Sequence, residues 1–275
     1  MLKTGVIGLG MIGGGVAICL ARADSLTAVF DVRTDAADKL EGVPACANSL
    51  AELAQQCNVI IIAVVSAEQV RGVLNGPEGL LANASDDTVL ILQSTLALPD
   101  LKDISATAAA AGVTVVDCGV SGGQLAAENG LVSLVGADDA VFERIKPVLE
   151  AYSKTVAHMG GPGAGMAAKI ARNVIVYNVW RAGYEGALLA EAAGIDVRKL
   201  AAAIESSAEG VGGPTMWMNR PSEPSQDPQE KGLRERVLTI LEKDLGAALE
   251  LAEDIGVELP MAELSKASGK KMLHI

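Results

Sequence analysis

The chain has 275 residues and a formal net charge of −12, with a sequence pI of about 4.7. Half of the residues are hydrophobic but only 3% are aromatic, which predicts an aliphatic core in one large domain or two ordinary ones. A strongly negative field repels nucleic acid and anionic membrane surfaces, so we expect neither as a partner.

The cysteines and histidines argue against a metal centre. No two of the four cysteines are spaced as CxxC, and the two histidines lie far apart, so we predict no Cys/His metal site. The N-terminus has an early glycine-rich turn where a signal peptide would have an apolar segment. The longest apolar run, Val59–Val65, is too short to span a bilayer. These features favour a reducing cytoplasm as the location.

The first half of the chain alternates short β-branched runs with helical stretches. The predicted strands are Leu2–Ile7, Leu26–Phe30, Val59–Val65, Val89–Gln93, Val113–Asp117 and Leu131–Gly136. The predicted helices are Ile12–Ala23, Ser49–Gln56, Ala67–Leu74, Pro99–Ala111 and Val141–Leu149. Alternation at this spacing predicts βαβ units and a mainly parallel sheet.

The second half is predicted to be almost entirely helical. From Ala164 to Ala193 there is no proline, which predicts one continuous helix of about 30 residues, or roughly 45 Å. Gly194 is well placed to end it. Further helices are predicted at Val197–Ser206, Leu233–Ile255 and Met261–Lys271, and an exposed loop at Arg220–Lys231, which is rich in Pro, Ser, Gln and Glu.

Together these elements predict a fold class. We expect an α/β N-terminal Rossmann domain over residues 1–160, followed by an all-α C-terminal domain over residues 161–275 with a long interdomain helix.

A glycine-rich turn between the first strand and the first helix predicts a dinucleotide site. Gly8 allows a tight turn, Gly10 lets the backbone approach a pyrophosphate, and Gly13 lets helix and strand pack closely. The start of the helix then offers free N–H groups to the phosphates. The predicted contacts are Gly8, Leu9, Gly10, Met11, Ile12 and Gly13.

The end of the second strand bears on the choice between NAD and NADP. Asp31 can accept hydrogen bonds from ribose hydroxyls and would repel a 2′-phosphate, which favours NAD. Arg33, which follows Val32, could pair with that phosphate, which favours NADP. The alternative is that Arg33 is a solvated charge in a loop and contacts no cofactor. The balance favours NAD.

A second group of polar residues lies near the start of the long helix. Lys169, Arg172 and Asn173 stand at i, i+3 and i+4 and therefore share one face, which continues to Tyr177 and Trp180. Such a group on an otherwise apolar helix is costly to bury without partners. From spacing alone, it is either a functional site or a solvent-facing stripe.

Four segments in order resemble the β-hydroxyacid dehydrogenase family. This family includes 3-hydroxyisobutyrate dehydrogenases, tartronate semialdehyde reductases and, more distantly, 6-phosphogluconate dehydrogenases. The segments are GLGMIGGGVA at Gly8–Ala17, DCGVSGG at Asp117–Gly123, the helix start at Gly163–Asn173, and KDLGAALELA from Lys243, with a weaker match at Gln93–Thr95. The resemblance spans nearly the whole chain.

The resemblance implies roles for individual residues. Lys169 becomes the catalytic lysine. Substrate contacts, directed mainly at a carboxylate, are Ser121, Gly122, Gly123 and Asn173. Contacts near the nicotinamide are Thr95 and Lys243, and Val64 and Val65 border the cofactor where the family usually has Leu-Pro.

Three features depart from the family pattern. Arg172 stands where the family often has asparagine, and as a further substrate contact it could accommodate a larger or more acidic substrate. Gln93 stands where an acidic residue is common. Arg220–Lys231 and Leu233–Leu241 replace an aromatic-rich stretch, which leaves substrate size and dimer contacts open.

The resemblance implies an NAD(P)-dependent 3-hydroxyacid dehydrogenase or reductase, with Lys169 as general acid and base. It also implies a homodimer, in which the helical domain carries substrate and dimerisation contacts. The alternatives are an imine reductase of the same superfamily, which usually lacks this lysine, and a dinucleotide-binding module without turnover.

Overall fold

The structure is a computed structural model that describes residues 2–208 and 224–275. By internal contacts the chain forms two compact units, Met1–Arg172 and Asn173–Ile275. The first unit contains the sheet and the second is helical where it is described.

Within the described residues, seven strands form one sheet in the order β2-β1-β3-β4-β5-β6-β7. The strands are β1 Thr4–Ile7, β2 Leu26–Phe30, β3 Val59–Ile62, β4 Val89–Leu92, β5 Thr114–Ser121, β6 Leu131–Gly136 and β7 Ser153–Gly160. Neighbours run parallel except β5 and β6, which are antiparallel. The predicted mainly parallel sheet is confirmed.

Both faces of the sheet are buried, as a parallel sheet requires. Along β3, Val59 and Ile61 belong to one apolar cluster, whereas Ile60 and Ile62 belong to the other. Successive side chains point to opposite faces of a strand, which explains this alternation. The helices of this unit are α1 Met11–Arg22, α2 Leu50–Gln56, α3 Ala67–Leu74, α4 Leu80–Asn83, α5 Leu98–Ala110 and α6 Asp139–Glu150, with a 3-10 helix at Gly123–Glu128.

The long helix α7, Ala164–Ala192, begins in the first unit and continues into the second. The remaining helices are α8 Val197–Ala208, α9 Pro228–Ile255, α10 Pro260–Ala267 and α11 Gly269–Leu273. The predicted fold class, a Rossmann-type N-terminal domain followed by a helical C-terminal part with a long helix, is confirmed. Among residues 2–208 and 224–275, no helix combines the length and apolar character needed to cross a membrane.

Several predicted boundaries were wrong. Strand β7 was missed, because most of its residues are only partly buried or exposed, which leaves no continuous apolar run. The predicted helix Met261–Lys271 is two helices that meet at Ser268. In the predicted loop Arg220–Lys231, residues 220–223 lie outside the described residues. Helix α9 already begins at Pro228, where the Asp227 side chain accepts a hydrogen bond from the Gln229 N–H.

Candidate active site

The turn between β1 and α1 has the close backbone approaches expected of its glycines. Gly8 has a φ of 87°, and a Cβ atom there would lie 2.7 Å from the carbonyl oxygen of Ala63. Its N–H donates to the Phe30 carbonyl at 2.9 Å. A Cβ atom on Gly13 would overlap the carbonyl oxygen of Gly8. A side chain at either position would push β1, β3 and α1 apart.

Gly10 faces open space. It is the N-cap residue of α1, no side chain caps it, and nothing lies within 4 Å of where its Cβ atom would be. The first N–H groups of an α-helix lack partners within the helix, and this end carries a partial positive charge. The open backbone at Gly10 and the uncapped start of α1 therefore fit a pyrophosphate.

A cavity of about 510 Å³ adjoins this turn. It gathers seven of the predicted cofactor contacts, namely Gly8, Gly10, Asp31, Val32, Arg33, Val64 and Val65. The other predicted contacts in this unit, Leu9, Met11, Ile12, Gly13 and Thr95, do not line it. Lined by the glycine turn and by an acidic residue at the end of β2, this cavity suits the adenosine half of a dinucleotide.

Asp31 is held by hydrogen bonds from its own chain. Its oxygens accept from the Leu9 N–H at 2.7 Å, the Arg33 N–H at 3.0 Å and the Arg33 Nε at 3.1 Å. Burial by itself raises the pKa of Asp31, but the hydrogen bonds from Arg33 and Leu9 outweigh it and hold the pKa below its ordinary value. The carboxylate side chain is 8% exposed, whereas that of Arg33 is 62% exposed.

The ends of β3 and β4 are tied together beside the cavity. The Ser94 hydroxyl donates to the carbonyl oxygen of Val64 at 2.6 Å, and the Val65 N–H donates to Oε1 of Gln69 at 2.8 Å. Sequence reasoning missed Gln69, which also lines the cavity. The available signal was Ser66-x-x-Gln69, a capping-box spacing, in which the Ser66 side chain accepts from the Gln69 N–H.

Strand β5 holds the start of α7. Asp117 is 2% exposed, and its two carboxylate oxygens accept hydrogen bonds from the N–H groups of Gly163 and Met166, each at 2.6 Å. A carboxylate at a helix N-terminus satisfies unpaired N–H groups and complements the helix dipole. A Cβ atom on Gly165 would lie 2.6 Å from the Gly136 nitrogen, so this turn also packs tightly on β6. Sequence reasoning did not identify this anchor.

Lys169 lies one turn farther along α7 and is 9% exposed. A Cβ atom on Gly119 of β5 would overlap its Cβ atom, so the lysine packs directly on the strand that ends at Ser121. Burial first, and then the positive charge of Arg172, lower the pKa of Lys169 below the ordinary lysine value. A lowered pKa makes the neutral, proton-accepting form of the lysine more available.

The segment Ser121–Gly123 follows Gly119 at the end of β5. Gly122 has a φ of 86°, a conformation that glycine adopts without strain. A Cβ atom on Gly123 would lie 2.6 Å from Cδ1 of Ile12. Ile12, predicted as a cofactor contact, therefore packs against the predicted substrate segment.

Two predicted site residues belong to the second unit. Asn173 is partly buried near the start of α7. Lys243 has a side chain that is 75% exposed and forms an ion pair with Asp244 at 3.1 Å. Their assigned contacts stay predictions.

Comparison with known proteins identifies the family of the chain. Residues 3–161 match the family model for the NAD-binding domain of 6-phosphogluconate dehydrogenase. Residues 163–273 match the model described as the NAD-binding part of NADP-dependent 3-hydroxyisobutyrate dehydrogenase. The chain belongs to the family of NAD(P)-dependent β-hydroxyacid dehydrogenases. Family membership confirms the resemblance and a nicotinamide dinucleotide as cofactor.

Relatives from this family match nearly the whole length of the chain. An uncharacterized oxidoreductase of Mycobacterium tuberculosis is 35% identical over 96% of this chain and 90% of the relative. The 2-(hydroxymethyl)glutarate dehydrogenase of Eubacterium barkeri is 33% identical over 96% of this chain and 87% of its own. An oxidoreductase structure from Mycobacterium avium has a TM-score of 0.90 at 33% identity, covering 100% of this chain and 99% of that one.

An imine reductase from Streptomyces aurantiacus has a TM-score of 0.77, covering 98% of this chain and 93% of that one. Its sequence identity is 17%, so the similarity is one of fold alone.

Proposed function

We propose that this β-hydroxyacid dehydrogenase transfers a hydride between a nicotinamide dinucleotide and a small β-hydroxy acid or its semialdehyde, with Lys169 as general acid and base. The observation that carries this proposal is the buried Lys169, which packs on Gly119 of the strand leading into Ser121–Gly123. Burial of a lysine to 9% exposure costs folding free energy, and ionisable groups with a pKa shifted by burial are concentrated at functional sites.

The proton chemistry follows from the position of Lys169. When bound, the nicotinamide ring supplies or accepts the hydride. The Nζ atom of Lys169 would hydrogen-bond the reacting oxygen, take the hydroxyl proton during oxidation and return it during reduction. Taking a proton requires the neutral amine, and both burial and the charge of Arg172 favour that form by lowering the lysine pKa.

The substrate carboxylate would bind at Ser121–Gly123. The left-handed conformation of Gly122 is typical of backbone segments whose successive N–H groups form an anion-binding concavity, and Ser121 and Asn173 would add side-chain hydrogen bonds. Arg172, one turn beyond Lys169, would favour substrates that carry a second anionic group. The name of the 33% identical relative, 2-(hydroxymethyl)glutarate dehydrogenase, points to such a substrate.

The preferred cofactor would be NAD. The Asp31 carboxylate lines the cavity and remains ionised under its three hydrogen bonds, which opposes a 2′-phosphate. Arg33 is engaged by Asp31 at 3.1 Å, so binding a phosphate would require its guanidinium to leave that ion pair.

The enzyme would act as a homodimer through an exposed apolar face of α7. Three aromatic residues, Tyr177, Trp180 and Tyr184, are 56%, 64% and 55% exposed and are spaced to share one helix face. Large aromatics exposed together on a helix are typical of protein interfaces. The cytoplasmic location stays a prediction from the sequence.

The decisive assay offers the purified protein NAD or NADP with 3-hydroxyisobutyrate, glycerate, serine, 3-hydroxypropionate, 4-hydroxybutyrate and 2-(hydroxymethyl)glutarate. Absorbance of the reduced nicotinamide reports turnover. Lys169→Met should remove most of kcat while leaving the dinucleotide Kd nearly unchanged. Lys102→Met, at an exposed position on α5, is the control and should behave like the wild-type enzyme.

Three outcomes would count against the proposal. Wild-type kcat in Lys169→Met would exclude that lysine as the acid and base. Reduction of a cyclic imine with NADPH, without hydroxy acid turnover, would favour the imine reductase alternative. Cofactor binding without any turnover would favour a non-catalytic dinucleotide-binding module.

A further inference from the structure

Gly15 of α1 forms a notch that receives the segment following Ser121–Gly123. A Cβ atom on Gly15 would lie 2.5 Å from the Cβ atom of Ala126 and 2.6 Å from the nitrogen of Ala127. Real Cβ atoms do not approach other heavy atoms so closely, so Ala126 and Ala127 occupy the space of the missing side chain. Ala126 is 1% exposed, as expected of a residue enclosed on this surface.

Two side chains on the same face of α1 hold the segment in the notch. The Cys19 thiol donates to the carbonyl oxygen of Ala126 at 3.2 Å, and Nη1 of Arg22 donates to the carbonyl oxygen of Ala127 at 2.8 Å. Gly15, Cys19 and Arg22 stand at i, i+4 and i+7, the spacing of one helix face. Successive turns of α1 therefore contact the same two residues.

The notch is connected to the predicted substrate contacts through a short, internally bonded segment. The Leu125 N–H donates to the Gly122 carbonyl at 2.9 Å, and the Gly130 N–H donates to the Leu125 carbonyl at 2.9 Å. Gly123 lies against Ile12, also on α1. A shift of Ala126 away from α1 must therefore displace Gly122 and Gly123.

We propose that Gly15 is a positioning residue for substrate binding, acting through Ala126 and Ala127 on the Ser121–Gly123 segment. The inference rests on the proposed role of that segment in binding the substrate carboxylate. Because the N-terminal end of α1 adjoins the dinucleotide cavity, one helix carries both the phosphate-binding turn and the support for the substrate segment. Substrate affinity then depends on a residue that contacts neither ligand.

The test compares Gly15→Ala with Gly14→Ala in the full-length enzyme. Both replace glycine by alanine in α1, which by helix propensity favours the helix to the same extent in the two variants. A Cβ atom on Gly14 would make only ordinary contacts, 3.4 Å from the Leu9 carbonyl oxygen and 3.5 Å from the Leu40 side chain. Gly14→Ala therefore makes the same substitution in the same helix but leaves the notch at Gly15 unfilled.

In Gly15→Ala we expect the KM for the hydroxy acid to rise about tenfold or more, since small misplacements of binding groups have effects of this size. The dinucleotide Kd should stay within about twofold, because uncapped N–H groups at the start of α1 remain in place. Gly14→Ala should match the wild-type enzyme in both quantities. Equal KM values in the two variants would overturn the proposal.

Hydrogen-exchange mass spectrometry tests the notch without relying on activity. Amides of residues 122–130 should exchange faster in Gly15→Ala than in Gly14→Ala; equal exchange would contradict the notch. If the wild-type enzyme oxidised no hydroxy acid, the proposed function would fail while this comparison still decided the structural inference.

A second pair of variants covers the case in which Gly15→Ala does not fold. Arg22→Met removes the hydrogen bond to Ala127 and the ion pair with Glu41, whereas Glu41→Gln removes only the ion pair at 3.4 Å. Faster exchange of residues 122–130 and a higher KM are expected only in Arg22→Met. The same behaviour in both variants would overturn the proposal.

Discussion

Gly119 lies directly beneath Lys169, because a Cβ atom built on Gly119 would overlap the Cβ atom of the lysine. The same atom would lie 3.1 Å from the carbonyl oxygen of Gly165. Strand β5 and helix α7 therefore lie too close together for a side chain at residue 119. The depth at which Lys169 sits on the strand depends on the absence of one methyl group.

Gly119→Ala should consequently move Lys169 away from β5. Overpacking of this kind costs about 1–3 kcal/mol of folding free energy, and displacement of the proposed proton-transfer group should lower kcat by about 10-fold to 100-fold. Gly161→Ala is a suitable control, since nothing lies within 4 Å of a Cβ atom there. Thermal unfolding measures the loss of stability, and steady-state kinetics measures the change in kcat. An unchanged kcat in Gly119→Ala would show that the proposed role of Lys169 does not depend on its close packing against β5.

The pH dependence of oxidation should report the lowered pKa of Lys169. Burial and then the charge of Arg172 lower this pKa. With Lys169 as the proposed base, oxidation requires the neutral amine, so kcat should rise with pH through the lysine pKa and then level off. Arg172→Gln removes one of the two causes, so the rising limb should move to higher pH.

Arg172→Lys is the matched control, because it retains the positive charge, and its rising limb should stay close to that of the wild-type enzyme. A limb that moves equally in Arg172→Gln and Arg172→Lys would show that the charge of Arg172 does not act on the titrating group.

Local patterns predicted the strands and motifs that are continuous in sequence. Strand β3 is buried on both faces, so its residues form an uninterrupted apolar run. Strand β7 lies at the edge of the sheet, where Lys154 and Thr155 are exposed, and it has no such run. The turn Gly8–Gly13 was predictable because its glycines satisfy constraints within one strand, turn and helix.

Contacts between distant parts of the chain were not predictable in this way. Asp117 bonds to residues 46 and 49 positions later, and Cys19 bonds to a carbonyl 107 positions later. No period or spacing relates such positions, since each contact exists only once the sheet has brought the elements together. The contacts of Asp117 with the start of α7 and of Gly15 with Ala126 therefore emerged only from the structure.

The ion pair between Asp31 and Arg33 leads to a prediction on cofactor choice. Arg33→Ala removes the only guanidinium on Asp31 among the described residues, while the N–H groups of Leu9 and residue 33 remain. The Kd for NADP should rise about tenfold or more, because only a guanidinium that leaves Asp31 could give the 2′-phosphate a charge-assisted contact. The Kd for NAD should change little. Fluorescence titration with NAD and with NADP measures the two Kd values. Arg144→Ala is the control, because Arg144 is also paired with an aspartate, Asp87. Equal loss of affinity for NAD and NADP in Arg33→Ala would argue against a phosphate contact.

The exposed aromatic face of α7 predicts self-association. Tyr177 and Trp180 already contact each other edge to face, with ring centroids 5.3 Å apart. Trp180→Ser should weaken the dimer by about 30-fold or more in Kd, because truncating a central interface aromatic typically costs at least 2 kcal/mol. Sedimentation velocity over a range of concentrations measures the change. The control is Leu98→Ser, at a 44% exposed position on α5, which should leave the dimer intact. A monomeric wild-type protein would refute the proposal that this face of α7 forms a dimer interface.

Asp117 should contribute to both stability and catalysis through its two hydrogen bonds to the start of α7. Each is a bond to a charged acceptor, worth about 1.5–3 kcal/mol, and the carboxylate is 2% exposed. An asparagine side chain at this position has only one oxygen, so its amide nitrogen would face either the Gly163 N–H or the Met166 N–H. Asp117→Asn should therefore lower the free energy of unfolding by about 2–4 kcal/mol and reduce kcat by loosening the turn that precedes Lys169.

Asp138→Asn is the matched control for this change. Asp138 also precedes a helix, α6, but its side chain makes no capping hydrogen bond and is exposed. Urea unfolding should therefore show a smaller midpoint change in Asp138→Asn than in Asp117→Asn. If the two variants lost equal stability, the bonds to Gly163 and Met166 would not be what holds α7 on β5. If Asp117→Asn lost stability but kept its kcat, the start of α7 would not position Lys169.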